Sequence, residues 1–396
     1  MSHSRWPARA LLSIGAAFAT FAAADPYRPT HDAEVIETLP RAAARGGDAA
    51  TRTLREWHAR DPSNLDVALR LAQTQIAAAR ASADPRLWGQ AQAALAPWWN
   101  LDAAPVPVLL ARAAIRQNRH DFDAAEIDLL RAVAQQPQQA QAWLDLASLQ
   151  QATGDLAGAA QSCERVVATG ASTVGIICRA SVDALMGEAT AGYAAVADAV
   201  AQGRLADQPP AVRVWAATLL AEIAERRGHG EDAERWYRQS LSLDPTDGYA
   251  LAAYADFLLD RGRAADVATL IAPDSAIDGL LLRRVQADRA LDARAAQAGA
   301  ATLAARFDAL RARGDRVHRR EESRFRLALA RDPDAALELA LQNWAVQKEP
   351  LDARIALEAA HAARQPQAAA DIARWIHASG LEDVRLVPLL AGVRAP

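Results

Sequence analysis

The sequence is poor in the residue types on which most catalytic, metal-binding and nucleic-acid-binding sites depend. Its 396 residues include two cysteines, eight histidines and 5% aromatic residues, and Lys348 is the single lysine. No sustained Val/Ile/Thr alternation indicates a β-strand. No apolar run after residue 24 approaches the about 20 residues that a membrane-spanning helix needs. The net charge of −4 gives no basic excess for binding nucleic acid.

Alanine and periodic leucine are what the chain has in abundance. Hydrophobic residues make up 51% of the chain and charged residues 23%, which is a globular rather than a disordered composition. Alanine is the strongest helix former, and its small side chain lets helices pack closely. We therefore predict an all-α protein.

The N-terminus has the three parts of an export signal. Arg5 and Arg9 precede an apolar stretch at residues 10–21, and alanines at 22–24 form a cleavage site before Asp25. We predict that residues 1–24 are a signal peptide cleaved after Ala24, and that the mature chain is periplasmic or secreted with no transmembrane segment. An uncleaved anchor remains the alternative interpretation.

Three segments repeat one helix–turn–helix pattern, at residues 142–166, 216–245 and 250–273. Each has a glycine at its turn, namely Gly154, Gly228 and Gly262, and the last two are 34 residues apart (262 − 228). Small residues recur where two helices would touch: Ala113, Ala125, Ala147, Ala159, Ala180, Gly192, Ala199, Ala221 and Ala233. Anything larger would push the helix backbones apart. Pro137 and Pro245 end second helices, because proline cannot continue them.

With this period and these small positions the chain resembles the tetratricopeptide repeat superfamily, and in particular exported bacterial members of it. The resemblance extends over about residues 48–378. It implies an α-solenoid of helix–turn–helix repeats, wound as a right-handed superhelix whose concave face is lined by the first helix of each repeat. We divide the chain into a signal peptide (1–24), an N-terminal repeat array (25–207), central repeats (208–275), and divergent C-terminal repeats with a cap (276–396).

Four places depart from the regular pattern. We expect a longer internal loop at residues 81–85, and a turn at Gly187 between two weaker helices. Gln208-Pro209-Pro210 is predicted to interrupt the array. A long second helix is expected over residues 293–313.

No motif of an enzyme is present: the sequence has no Gly-rich phosphate loop, no G-x-S-x-G elbow and no paired carboxylates. His318, which precedes Arg-Arg-Glu321-Glu322, lacks the second histidine of a helical zinc site. We predict no enzymatic activity, no metal and no cofactor. The segment is interpreted as a solvated helix face on which Glu322 and Arg326 form an i,i+4 pair.

Two further features allow more than one interpretation. Residues 311–326 contain seven arginines and either bind a polyanion or form an exposed helix–turn–helix edge, which is the favoured reading. Trp98 and Trp99 either anchor a partner or pack at the turn between two repeats, with one of them half-exposed.

The predicted function is a scaffold that binds a peptide or a partner protein, of unknown identity, on the concave face in the cell envelope. An accessory or assembly factor docking to an envelope transport or polysaccharide-export complex is the alternative, and an enzyme is third. The resemblance places the following residues on the concave face: Leu110, Gln117, Asn118, Leu144, Ser148, Gln151, Thr218, Glu222, Glu225, Tyr249, Asp256 and Leu259. Of these, Glu222, Glu225 and Asp256 are expected to face solvent.

The two cysteines are predicted to form a disulfide. Cys163 lies in the middle of the second helix of its repeat, and Cys178 in the first half of the following helix. These helices run antiparallel, so residues 15 apart (178 − 163) can come within bridging distance. An exported protein meets an oxidising compartment. Two free, buried thiols are the alternative.

Overall fold

The computed structural model describes residue 31 and residues 49–393. The predicted signal peptide lies outside the described residues. The chain divides into residues 1–52 and residues 53–396. Of the first unit the structure describes residue 31 and the first four residues of α1, and the sites discussed here all lie in the second.

Every regular element in the described residues is helical, as predicted. The first ten helices are α1 (Ala49–Arg60), α2 (Leu65–Ser82), α3 (Pro85–Ala94), α4 (Val106–Asn118), α5 (Phe122–Gln135), α6 (Ala140–Thr153), α7 (Leu156–Ala168), α8 (Ser172–Asp183), α9 (Ala189–Ala201) and α10 (Pro210–Arg226). The other ten are α11 (Gly230–Leu243), α12 (Gly248–Asp260), α13 (Ala264–Leu270), α14 (Asp278–Leu291), α15 (Ala296–Ala312), α16 (Arg319–Phe325), α17 (Pro333–Trp344), α18 (Pro350–Ala362), α19 (Ala370–Ser379) and α20 (Val387–Leu390). A π-helical turn, Arg326–Ala330, joins α16 to α17, and 3₁₀ turns lie at Ala96–Trp98 and Pro366–Ala369.

Consecutive helices pack as hairpins, and glycine makes the tight turns inside them. Gly154, Gly187, Gly228 and Gly262 all have positive φ, between 68° and 88°. This left-handed region is open to glycine and costly for residues with a Cβ atom. The predicted turns are therefore confirmed.

The small residues lie between helix backbones, as their spacing indicates. The eight predicted alanines are each at most 1% exposed. At Gly192 a Cβ atom would stand 2.8 Å from the carbonyl oxygen of Ala180 on the preceding helix. Only glycine fits there without moving one of the two backbones.

Of the four predicted irregularities, the turn at Gly187 is confirmed above, two others are wrong, and the long helix is confirmed. The loop expected at residues 81–85 is shorter, because α2 continues to Ser82 and Asp84 caps α3. Pro209 and Pro210 do not interrupt the array: Pro210 begins α10, and one hydrophobic cluster runs from Ile177 to Ile223. The long helix expected at residues 293–313 is α15.

The C-terminal helices fold back onto the middle of the array. We call residues 319–390 (α16–α20) the C-terminal arm. One hydrophobic cluster combines Leu156 and Val182 of α7 and α8 with Leu357 and Ile376 of the arm. The predicted divisions at residues 208 and 276 remain predictions, but the core connects segments on both sides of them.

The arm meets the array at its hairpin turns. The backbone N–H of Lys348 donates to Ala152 O at 2.8 Å, and its Nζ donates to Thr153 O at 3.0 Å. Further along, Gly380 touches the backbone of Gly187. Arg354 forms two hydrogen bonds with Asp260 at the end of α12. The arm therefore bridges turns that are far apart in the sequence.

Candidate functional site

The twelve residues predicted for the concave face divide into a group engaged inside the chain and a group open to solvent. Leu110, Leu144 and Leu259 are partly buried beside hydrophobic clusters. Gln151 accepts a hydrogen bond from Ser181 at 3.0 Å. Gln117 and Glu222 are half-buried, whereas Asn118, Ser148 and Tyr249 are exposed. The structure does not test whether any of them binds a partner.

Thr218 and Glu225 are buried rather than exposed. The Thr218 hydroxyl shares a hydrogen bond of 2.8 Å with Ser240. Glu225 is 5% exposed, accepts from the hydroxyl of Tyr237 at 2.8 Å, and forms an ion pair with Arg385 of the arm at 2.9 Å. Burial raises the pKa of Glu225, and Arg385 opposes that rise. The expectation that Glu225 faces solvent is wrong, because the arm covers it.

Asp256 is also engaged by the chain itself, so its predicted solvent exposure is wrong as well. Arg283 donates to both of its oxygens, at 2.9 and 2.6 Å, and Arg324 of the arm lies 2.6 Å away. Burial acts to raise the pKa of Asp256, but the two arginines outweigh it and hold the pKa below its usual value. A carboxylate with two guanidinium partners is a structural ion pair.

Glu222 and Tyr249 form the part of the predicted face that stays open. The Tyr249 hydroxyl donates to Glu222 Oε1 at 2.6 Å, while 63% of the residue is exposed. Glu349 of the arm is close enough for its charge to act on both of them, and 38% of its side chain is exposed. Burial raises the pKa of Glu222, and Glu349 adds to the rise. The pKa of Tyr249 is raised, first by Glu222 and then by burial. We call Glu222, Tyr249 and Glu349 the Tyr249 patch.

Arg320 holds the Glu349 side chain in place through a hydrogen bond. Its guanidinium donates to Glu349 Oε2 and to both oxygens of the buried Asp352. Asn343 donates to Asp352 at 2.8 Å. Glu349 is thus held by a hydrogen-bond network within the arm.

The Arg-rich segment 311–326 was expected to form an exposed helix–turn–helix edge, and its first half does, with Arg311, Arg313 and Arg316 exposed. Its second half is not the solvated helix face that was expected. Arg320 and Arg324 point their charges at carboxylates inside the molecule, with side chains 19% and 16% exposed. The predicted pair of Glu322 and Arg326 is present at 3.2 Å, but Glu322 is buried and Arg311 pairs with it as well. No group of three or more His, Cys, Asp or Glu side chains suited to a metal occurs among the described residues.

Trp98 and Trp99 are both half-buried. Their backbone carbonyls accept hydrogen bonds from the guanidinium of Arg112, which also forms a buried pair with Asp128. Arg116 lies over the ring of Trp99, 5.8 Å from its centre. The two tryptophans thus pack at the turn between repeats, as one of the two interpretations holds.

Cys163 and Cys178 lie at disulfide distance, with Cα atoms 5.5 Å apart. Both are fully buried in the cluster that the arm completes. The described residues contain no free cysteine.

Sequence reasoning missed the arginines that organise the site, namely Arg112, Arg283, Arg320, Arg324 and Arg385. The sequence held one signal for two of them: in the apolar periodicity of their helices, Arg112 and Arg283 fall on the apolar side. The partners of the other three come from distant parts of the chain, and no local pattern predicts them.

Comparisons with known proteins give only distant structural likenesses. No protein-family model matches the chain, and no curated protein matches it in sequence. One similar solved structure is the TPR domain of P58(IPK), with 14% identity over 77% of this chain and 99% of that one, at a TM-score of 0.22. Another is Naa15/Naa10 bound to HypK-THB, with 12% identity over 87% of this chain and 62% of that one, at a TM-score of 0.26.

These TM-scores are low, so the description of the fold depends on the chain's own hairpins. In the described residues no helix combines the length and apolar character needed to span a bilayer. Helical hairpins and small contact residues recur from α4 to α13 in the predicted register, and glycine turns recur from α6 to α13. The described part of the chain is therefore an all-α array of consecutive helical hairpins.

Proposed function

We propose that the protein is a non-enzymatic scaffold of the cell envelope that binds a peptide or partner protein through the Tyr249 patch. The observation that carries the proposal is that Tyr249 is exposed and yet held in one orientation. The residue is 63% exposed, yet its hydroxyl is held by a hydrogen bond of 2.6 Å to Glu222. Tyrosine contributes much binding energy at interfaces because it offers a large amphipathic surface with little side-chain entropy to lose.

The chemistry of the patch favours a partner with a basic side chain. Glu222 supplies a carboxylate at the Tyr249 hydroxyl, and Glu349 is close enough for its charge to act on both groups. A lysine or arginine between them would gain both charge pairing and a cation–π contact. Burial disfavours the charged form of Glu222, and a cationic partner would relieve that cost.

The envelope location is supported by two features. Residues 1–24 have the charge and hydropathy pattern of an export signal. The cysteine pair lies at disulfide distance, and such pairs are oxidised outside the cytosol.

The test is capture of partners from envelope extract, with mass spectrometry to identify them and purified partner to remeasure the affinity. We expect Tyr249→Ser to weaken binding at least tenfold. Leu130→Ser is the matched control, because Leu130 is a similarly large residue, 48% exposed on α5.

The alternative function predicts the reverse result. Ile127 and Leu130 lie one turn apart on α5 and are both 48% exposed, which would suit docking to an envelope complex. Loss of binding in Leu130→Ser with full binding in Tyr249→Ser would contradict our proposal and favour an accessory factor.

A further inference from the structure

A short segment of the arm lies against the end of α10 as a bound peptide would. We call residues 381–386, Leu-Glu-Asp-Val-Arg-Leu, the strap; it contains no helix. The N–H of Val384 donates to Arg226 O at 2.8 Å. The last carbonyls of a helix have no partner within the helix, so the end of α10 offers an acceptor to any extended chain that reaches it.

The strap also inserts one charge into a matching pocket. Arg385 reaches Glu225, whose other oxygen is held by Tyr237. Asp383 holds the same guanidinium from the strap side, at 2.9 and 2.7 Å. Leu381 and Leu386, on either side, are 7% and 1% exposed. The contact therefore combines one backbone hydrogen bond, one half-buried arginine and two apolar anchors.

The strap does not fill its site completely. An open cleft of about 410 Å³ remains between it and the residues Thr190, Arg226 and His229. Arg226 is 6% exposed and lines this cleft, and its Nε has no hydrogen-bond partner. Val384 is 49% exposed at the rim. A different segment could satisfy these groups better than the strap does.

We propose that the strap is an intrachain ligand that occupies a binding site for a non-helical segment of a partner protein, turned as the strap is between Asp383 and Leu386, and that the partner displaces it. The partner segment carries an acidic residue, an arginine two positions later and aliphatic residues on both sides. This inference rests on the proposed scaffold function and specifies the class of partner.

Glu225 gives the site its selectivity for arginine. When a partner segment covers Glu225 as the strap does, a segment without a cation would bury this carboxylate unpaired, which is costly. A segment with an aliphatic residue in place of the arginine leaves that cost in place, whereas an arginine removes it. The acidic residue two positions earlier holds the guanidinium in the orientation that the pocket requires, as Asp383 does for Arg385.

The experiment uses the full chain and a fluorescent peptide with the sequence of residues 381–390. Val384→Pro removes the N–H that bonds to Arg226, and Val384→Ala, the matched control, keeps it. We expect Val384→Pro to bind the peptide at least tenfold more tightly than the wild type, and Val384→Ala to behave as the wild type. A peptide with leucine in place of the arginine should bind neither protein.

A second measurement covers the wild type, so that the result does not depend on one variant. The Val384 amide should exchange its hydrogen faster than the amides of α10, through local opening of the strap. The proposal is wrong if Val384 exchanges only on global unfolding, if Val384→Pro is folded but binds no peptide, or if Val384→Pro does not fold.

The outcome is separable from the test of the Tyr249 patch. Peptide exchange is measured on purified protein and does not involve Tyr249. Its failure would leave a Tyr249-dependent capture of partners intact, and full partner capture by Tyr249→Ser would leave the peptide exchange intact.

Discussion

Several charged side chains in this protein form ion pairs in the interior rather than lying at the surface. Arg112 is 2% exposed and pairs with the fully buried Asp128 at 2.6 Å, and Arg283 holds Asp256 in a similar way. A planar guanidinium can bond two carboxylate oxygens at once, which a lysine cannot do. The near absence of lysine therefore has a structural consequence, whatever its origin: most of the basic residues are able to form bidentate pairs.

At this scale we predict the pH dependence of Glu222→Gln. Burial raises the pKa of Glu222 above 4.5, so the folded state favours its protonated form. A raised pKa contributes stability that is present below the unfolded-state value and is lost as the pH rises through the folded-state value. The wild type should therefore lose stability relative to Glu222→Gln above pH 4.5, by about 1.4 kcal/mol for each unit of pKa difference.

Urea unfolding from pH 4 to pH 8 measures the effect, and Glu234→Gln is the control of opposite sign. Burial acts to raise the pKa of Glu234, but hydrogen bonds from Arg263 and Tyr254 outweigh it and keep the pKa low. Equal slopes in the two variants would contradict the assignment for Glu222.

At the scale of the helices, the hairpin is the repeated unit and its turn is the critical point. Gly187 has a φ of 81°, and the backbone of Gly380 lies against it. Gly203 has a φ of 72° with no neighbour within 4 Å of where a Cβ atom would stand. The two glycines share the backbone conformation and differ in the contact with the arm.

We expect Gly203→Ala to lower the free energy of unfolding by about 1 kcal/mol, from backbone strain alone. Gly187→Ala should cost about 1 to 3 kcal/mol more, because its methyl group would stand 3.3 Å from the carbonyl oxygen of Gly380. Urea unfolding of both variants gives the difference. Equal losses would show that the arm yields freely at this turn.

At the scale of the whole described chain, the arm adds contacts between helices that are far apart in the sequence. Ile376 is 4% exposed and belongs to the cluster that contains Leu156 of α7 and Val182 of α8. A purely nearest-neighbour solenoid would confine the effect of a mutation to adjacent repeats. Here a mutation in α19 should also affect α7, about half of the sequence away.

We predict that Ile376→Ala destabilises the protein by about 2 to 5 kcal/mol. Amide hydrogen exchange should become faster in α7 and α8 as well as in α19. Val387→Ala is the control, because Val387 is 67% exposed and its truncation should change stability by less than about 0.5 kcal/mol. Faster exchange restricted to the arm would mean that the arm and the array open independently.

The sequence by itself determined the local architecture. Helices, glycine turns and small contact residues follow from patterns within 34 residues, and Cys163 and Cys178 are only 15 apart. Such features depend on helix periodicity, backbone conformation and packing between neighbours, all of which are written in short stretches of chain. The open position of Tyr249, which begins a first helix, also follows from the repeat register.

Only the tertiary structure decided which predicted surface residues remain free. Glu225 and Asp256 have the same helical register as solvent-facing positions, but Arg385 and Arg324 of the arm cover them. The arm also reaches Thr153 through Lys348, across 195 residues. No periodicity encodes such a contact, because it depends on how small rotations at each hairpin add up until the arm reaches the middle of the array.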